Sequence, residues 1–281
     1  MNAVAVIHRE GQSARAPQDD IPAQHWQGGP VDCAGCSYLR MRGLEGRLGC
    51  EPGYACMQDV YARRIDRFFR WHPPLGDEQL NHPYFEVRAI AARYAPLAAI
   101  TDLVRDSDEV VRRVVASRLP PDAAVALMHD PDREVRITVA HRLAPDALLK
   151  MAGDPDYMVR VVIARRLSHG KLPRLADDPE REVRKTVARR LPAFALSRMI
   201  DDPEVEVRRI VAERALPQDA ARLLDDEDWL VRLAAVQHAP LDATRACLDD
   251  VEDEVRHAAW IRLQQGDKPT EILKLTRRQA G

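Results

Sequence analysis

The chain has 281 residues, of which 46% are apolar and only 5% aromatic, so it can bury a sizeable core, but an aliphatic, alanine-rich one. Its 42 basic and 44 acidic side chains nearly cancel to a formal charge of −2, which argues against a nucleic-acid binder without excluding a local basic stripe. No apolar run approaches the roughly 20 residues needed to span a membrane.

Segment 1–30 is rich in Gln, Pro, Gly and Asp and reads as loosely ordered. Its apolar run Ala3–Ile7 is short, lacks preceding basic residues and is followed by His8-Arg9-Glu10. That is a poor signal peptide, and it points to the cytoplasm.

Four of the five cysteines come next, Cys33, Cys36, Cys50 and Cys56, spaced C-x2-C-x13-C-x5-C. Cys33-Ala34-Gly35-Cys36 is a tight ligand pair, its glycine freeing backbone N–H groups to turn toward sulfur. Cys50–Cys56 is a wider loop with a Pro52-Gly53 turn. Disulfides do not suit a cytoplasmic chain. Structural zinc usually takes two short knuckles, and the x5 pair departs from that. Irregular spacing suits a 4Fe–4S cube, though it does not match the compact ferredoxin run either. Local spacing leaves zinc and iron–sulfur both open. Segment 31–72 carries seven arginines against five acids, an excess that would offset the −2 of an oxidised cube held by four thiolates.

After the cysteines, Val60, Tyr61, Ile65, Phe68 and Phe69 fall on one helical stripe. The stripe predicts a helix that closes the open N-terminal end of the chain beyond residue 72; the alternative is an aromatic-basic surface for RNA or single-stranded DNA.

The chain beyond residue 72 is periodic. Val-Arg recurs at Val87-Arg88, Val111-Arg112, Val135-Arg136, Val159-Arg160, Val183-Arg184, Val207-Arg208, Val231-Arg232 and Val255-Arg256, every 24 residues without insertion. A fixed period of this size marks a solenoid, because one unit has an apolar face that only the next unit can cover. An aspartate precedes each helix, at Asp106, Asp130, Asp154, Asp178, Asp202, Asp226 and Asp250, often followed by proline as at Pro131 and Pro179. It reads as an N-cap with proline at the first helical position. Val135, Val139 and Leu143 form the buried stripe at i, i+4, i+8; Ala92, Ala116, Ala140, Ala164, Ala188 and Ala212 let neighbouring helices approach. Pro96, Pro120, Pro192 and Pro240 stop the helices. The rest of each unit, with pairs such as Leu148/Met151 and Leu172/Leu175, suits a short or 3₁₀ helix.

Two arginines per unit need partners. One set follows the Val (Arg112, Arg160, Arg184) and the other comes six residues later (Arg118, Arg166, Arg190). A structural ladder to helix-end carbonyls and neighbouring aspartates is the expectation, and a basic track for phosphate is the alternative. Cys247 occupies a position filled elsewhere by Leu103, Leu127, Met151, Leu175, Met199 and Leu223, so it reads as a buried apolar thiol.

Through D-P-x-x-x-V-R-x-x-V-A-x-R-L-P, as at Asp178–Pro192, residues 82–265 resemble the leucine-rich repeat variant family. The resemblance implies an all-α, right-handed superhelical solenoid of 24-residue repeats, alternating an α-helix with a 3₁₀ helix. His82, Tyr94 and Trp260 depart from the repeat, as capping units do. Members of the family can carry a four-cysteine 4Fe–4S module just before the repeats. That order favours a 4Fe–4S cluster at Cys33, Cys36, Cys50 and Cys56, with zinc as the alternative.

The expected organisation is a loose segment 1–30, a metal-cluster module 31–72 with its capping helix, and a solenoid 73–281 of eight repeats with a C-terminal cap. No nucleophile–base pair, phosphate loop or paired carboxylates stand out. The expected function is a non-enzymatic iron–sulfur scaffold, compatible with electron transfer, that binds a protein partner and neither membrane nor specific nucleic acid. A purely structural metal module and a nucleic-acid-binding solenoid are the alternatives.

Overall fold

The structure, a computed structural model, describes residues 21–266 apart from Gly43 and Glu45. Residues 1–20 of the expected loose segment and residues 267–281 of the expected C-terminal cap lie outside the described residues.

The chain divides into two compact units, residues 1–142 and 143–281. In the first, α1 (Ala62–Trp71), α2 (Phe85–Tyr94), α3 (Glu109–Arg118) and α4 (Arg133–Arg142) pack each on the next. In the second, the same succession runs through α5 (Tyr157–Arg166), α6 (Arg181–Arg190), α7 (Val205–Ala212), α8 (Trp229–Val236) and α9 (Asp253–Gln265). Short 3₁₀ segments such as Leu149–Met151 and Leu172–Leu175 return the chain between helices, with Met151, Leu172 and Leu175 buried. Among the described residues there are isolated β-bridges but no strand, and no helix is long and apolar enough to cross a membrane.

The apolar stripe is the core: Val135, Val139, Val159, Ile163, Val183 and Val187 are fully buried, as are the alanines Ala92, Ala116, Ala140, Ala164, Ala188 and Ala212. Helices α2, α3, α5 and α6 stop where the backbone turns extended at the C-cap, as at Leu191 before Pro192.

The aspartate before each helix does not cap it. Helices begin at residues 109, 157 and 229, and their N-caps are Asp108, Asp156 and Asp228, whose carboxylates accept the N–H of Val110, Met158 and Leu230. Asp106, Asp130, Asp178, Asp202, Asp226 and Asp250 stand two residues earlier and accept the N–H two positions on, each at 2.9 Å. This is an Asx turn, and the following proline sits in that turn, not at the first helical position. The carboxylate has a second task. Arg160 reaches across from the preceding helix to Asp178 with Nε at 2.7 Å and Nη2 at 2.9 Å. Its Nη1 donates to the carbonyls of Asp154 and Pro155. Arg112, Arg184, Arg208 and Arg232 repeat the fork on Asp130, Asp202, Asp226 and Asp250.

The second arginine set satisfies helix ends. Arg190 donates to Ala164 O at 2.7 Å and Leu167 O at 2.8 Å; Arg118 reaches Ala92 O and Ala95 O, and Arg142 reaches Leu119 O. These are the last-turn carbonyls an α-helix leaves without internal partners. Both sets therefore form a structural ladder.

The departures from the repeat also have reasons. His82 Nδ1 accepts the Tyr84 N–H at 3.1 Å, doing what the aspartate does elsewhere. Tyr94 replaces the second arginine and donates its hydroxyl to Asp66 of α1 at 2.9 Å. Trp260 is 54% exposed at the end of the described array.

One apolar core crosses residue 72. Tyr38, Met57, Ile65, Phe68 and Phe69 pack in the same cluster as Val87, Ile90, Val111 and Leu119. The capping helix thus buries Ile65, Phe68 and Phe69, while Val60 is 39% exposed and Tyr61 only half-buried, outside the stripe they were expected to share. Residues 21–30 are tied down where composition suggested loose order. Arg64 donates to the carbonyls of Ile21 and Pro22, Val60 N–H to Gln24 O, and Trp26 stacks on Tyr84.

Candidate metal centre

The cysteine loops are built by short local bonds. Asp32 accepts the Ala34 N–H at 2.8 Å, and Cys36 N–H closes a turn onto Cys33 O at 3.1 Å. The chain then enters a 3₁₀ turn, Leu39–Met41, and returns so that Cys50 N–H meets Met41 O at 3.3 Å. Gly49 permits that return: a Cβ there would sit 2.2 Å from the Leu44 carbonyl oxygen. Between Cys50 and Cys56 the expected turn forms, with Tyr54 N–H on Glu51 O and Gly53 at φ +79°, the left-handed region that glycine enters freely.

Three anchors fix these loops to the helices. Cys56 N–H donates to the Arg64 carbonyl of α1 at 3.2 Å. Arg67 donates to Tyr54 O at 2.7 Å and lies 4.0 Å over the Tyr54 ring. His72 Nε2 is 3.1 Å from Gly49 O. Tyr38, between the loops and the core, packs on Phe68 and bonds Glu78 and Gln79 through its hydroxyl; burial, then the Glu78 carboxylate, pushes its pKa up to about 12.

Cys33, Cys36, Cys50 and Cys56 all line one partly open cavity, together with Asp32, Tyr38 and Arg42. None is in a disulfide. Among the described residues, no group of three or more His, Cys, Asp or Glu is arranged to hold a single metal ion. Two sulfurs have the N–H of the residue two positions on aimed at them: Tyr38 N–H donates to Cys36 Sγ at 3.4 Å, and the Gln58 N–H draws down the Cys56 thiol. Gly35 has no left-handed backbone, so the donors come from Tyr38 and Gln58 instead of the expected Cys33–Cys36 turn.

The electrostatics of the set are unfavourable for four bare thiolates. Burial pushes the Cys56 thiol up to about 12, and neighbouring Asp59, Cys36 and Cys50 add to it. Burial raises Cys50 as well, with Cys36 and Cys33 contributing and Arg42 opposing. Thiols that repel one another's charge in one cavity become thiolates when a cation replaces their protons, so the donor set fits a positively charged metal group. The expected charge offset is narrower than the count of seven arginines. Arg64 is paired with buried Asp59 at 3.0 Å and Arg70 with Asp66, and of the seven Arg42 is the one that lines the cavity.

Sequence reasoning singled out the four cysteines and counted Arg42, Asp59 and Arg64 in the charge balance, but missed Tyr38, Gly49, the place of Arg42 at the cavity and the pairing of Asp59 with Arg64. Gly49 stands directly before Cys50, and Arg42 eight residues before it, where no periodicity draws attention to them. Cys247 lies in the second unit, in the 3₁₀ segment Arg245–Asp249, buried, with burial raising its pKa. It is the apolar thiol expected.

Comparison with known proteins gives two kinds of match. Residues 23–78 match a family described as LRV protein FeS4 cluster, and residues 133–156 and 181–204 match one described as leucine rich repeat variant. A solved structure described as a leucine-rich repeat variant with a novel repetitive protein structural motif is 53% identical, with a TM-score of 0.77; the match covers 82% of this chain and 97% of that one. A Rhodobacter capsulatus protein, described as an uncharacterized 27.7 kDa protein in the nifB 3′ region, is 42% identical over 87 residues. That stretch is 31% of this chain, and it spans about a third, 34%, of the curated relative.

Proposed function

Because the chain belongs to the leucine-rich repeat variant family and carries that family's iron–sulfur segment, we propose that Cys33, Cys36, Cys50 and Cys56 hold a 4Fe–4S cluster on a non-enzymatic scaffold. The observation that carries this reading is the convergence of the four cysteines, spread over 24 positions of sequence, on one cavity. A bound cluster would supply one-electron chemistry. The chain's own contribution is to shape its surroundings. Tyr38 N–H and the Gln58 N–H face two sulfurs, Arg42 brings a positive charge to Cys50, and the Tyr38–Phe68 core closes the inner side. Hydrogen bonds to the sulfurs, nearby charge and shielding from water set reduction potential.

The repeats act as the platform, and a protein is the partner they suit. Against the nucleic-acid reading, the repeated arginines that could form a basic track are engaged by Asp130, Asp178, Asp202, Asp226 and Asp250 or by helix-end carbonyls. The cytoplasm is the proposed location, consistent with five cysteines outside any disulfide. Replacing Cys33, Cys36, Cys50 or Cys56 singly with Ala should abolish a broad visible absorbance that bleaches on reduction, while Cys247→Ala should retain it. Full colour in any of the first four variants would remove that residue from the ligand set.

A further inference from the structure

A second concave surface lies on the first unit, between α1 and α2. It is a groove of about 300 Å³, open to solvent, walled by Arg63, Arg67 and Arg70 of α1 and Arg93 of α2, with Asp66 among them and buried Ile90 beneath. That volume is at the lower end for a ligand pocket, enough for a few side chains of a docked segment and more than a single ion needs.

Its charges do not balance. Asp66 is shared by Arg70 at 2.9 Å, Arg93 at 3.5 Å and the Tyr94 hydroxyl at 2.9 Å. Arg67 is held by the Tyr54 carbonyl and ring, which leaves its charge uncompensated. Arg63 is exposed and makes no hydrogen bond or ion pair among the described residues. Four guanidinium groups therefore face one carboxylate on a protein whose formal charge is −2. The two repeated arginine sets of the solenoid, by contrast, are matched by aspartates or helix-end carbonyls. The groove is preformed, because α1 and α2 share one core through Ile65, Phe69 and Ile90.

Guanidinium forks match carboxylates in two-point contacts. We propose that this groove is the docking surface for a carboxylate-rich segment of a protein partner. Asp66, set among the arginines, decides against a nucleic acid: spaced acids on a polypeptide can straddle it, whereas the dense, continuous phosphate charge of a nucleic acid meets it as repulsion. Arg67 joins the groove to Tyr54, within the loop between Cys50 and Cys56, so a docked partner borders the candidate cluster site. The docking itself rests on none of the four cysteines.

The test uses the whole cluster-loaded protein and a fluorescently labelled peptide of alternating Glu and Gly, with the Gln–Gly peptide as control, in an anisotropy titration. Saturable binding of the acidic peptide is expected at low ionic strength, weakening as salt shortens the Debye length. The double variant Arg63→Glu, Arg93→Glu should weaken it by about tenfold or more. Arg209→Glu with Arg222→Glu, two exposed arginines outside the groove, should leave it unchanged. Should the first double variant fail to fold, Arg63→Gln with Arg93→Gln should still weaken binding by about threefold. Absence of saturable binding, or equal loss in the Arg209/Arg222 variant, would overturn the proposal. So would tighter binding of a single-stranded RNA oligonucleotide that depends on Arg63 and Arg93.

Discussion

Arg184→Ala isolates what the arginine ladder contributes. The side chain donates to Asp202 at 2.8 and 3.1 Å and to the carbonyls of Asp178 and Pro179 at 2.8 and 3.2 Å. Truncation leaves the Asp202 carboxylate, only 4% exposed, with the Glu204 N–H at 2.9 Å as its remaining partner among the described residues. Breaking a buried pair from one side costs about 3–5 kcal/mol. The retained N–H and the 9% exposure of Arg184 place the loss near the lower end, about 3 kcal/mol. Arg209→Ala is the control: its pair with Glu213 is 48% and 51% exposed, and such pairs contribute about 0.5 kcal/mol or less. Urea unfolding followed by far-ultraviolet dichroism measures both, and amide exchange over residues 178–208 shows where protection is lost, since repeat arrays can depart from two-state behaviour. A double-mutant cycle of Arg184→Met with Asp202→Asn separates the pair from the stranded carboxylate. A loss below about 1 kcal/mol, or one equal to that of Arg209→Ala, would refute the structural role of the ladder.

Gly49→Ala places a Cβ 2.2 Å from Leu44 O, so the return into Cys50 must shift; about 1–3 kcal/mol of stability and the visible absorbance should both be lost, as a melting curve and spectrum would show. The Arg232 fork holds the Asp250 carboxyl below the usual carboxylate range. A depressed folded pKa adds stability that is complete above the unfolded value of about 3.9 and disappears as pH falls below it, so Asp250→Asn should flatten the acid limb of a stability–pH curve below about pH 4. Removing the metal should erase amide protection from Cys33 through Leu119, because one core joins them, while α5 to α8 stay protected. Cooperative loss through Arg256 would contradict that division.

The repeat was legible because its signal is one-dimensional. A 24-residue period, a valine stripe and a recurrent alanine are local regularities, and burial follows them residue by residue. The recurrent aspartate lies two residues before the true cap, and it reads as one because an Asx turn and an N-cap ask for the same side chain. Only the arginine reaching from the preceding helix shows why position 178 and its equivalents are aspartate. The cysteines announced a metal group by spacing, but their surroundings did not. Tyr38 is drawn in by Phe68 and Glu78, 30 and 40 residues away, and Arg64 spends its charge on Asp59 and on Ile21 and Pro22 of a segment that composition marked as loose. Contacts at such separation carry no local pattern.

The central claim is the cluster itself, and metal analysis of anaerobically purified wild-type protein tests it most directly. The account predicts brown protein with about four iron and four acid-labile sulfide per chain and negligible zinc. Colourless protein with one zinc per chain would contradict it.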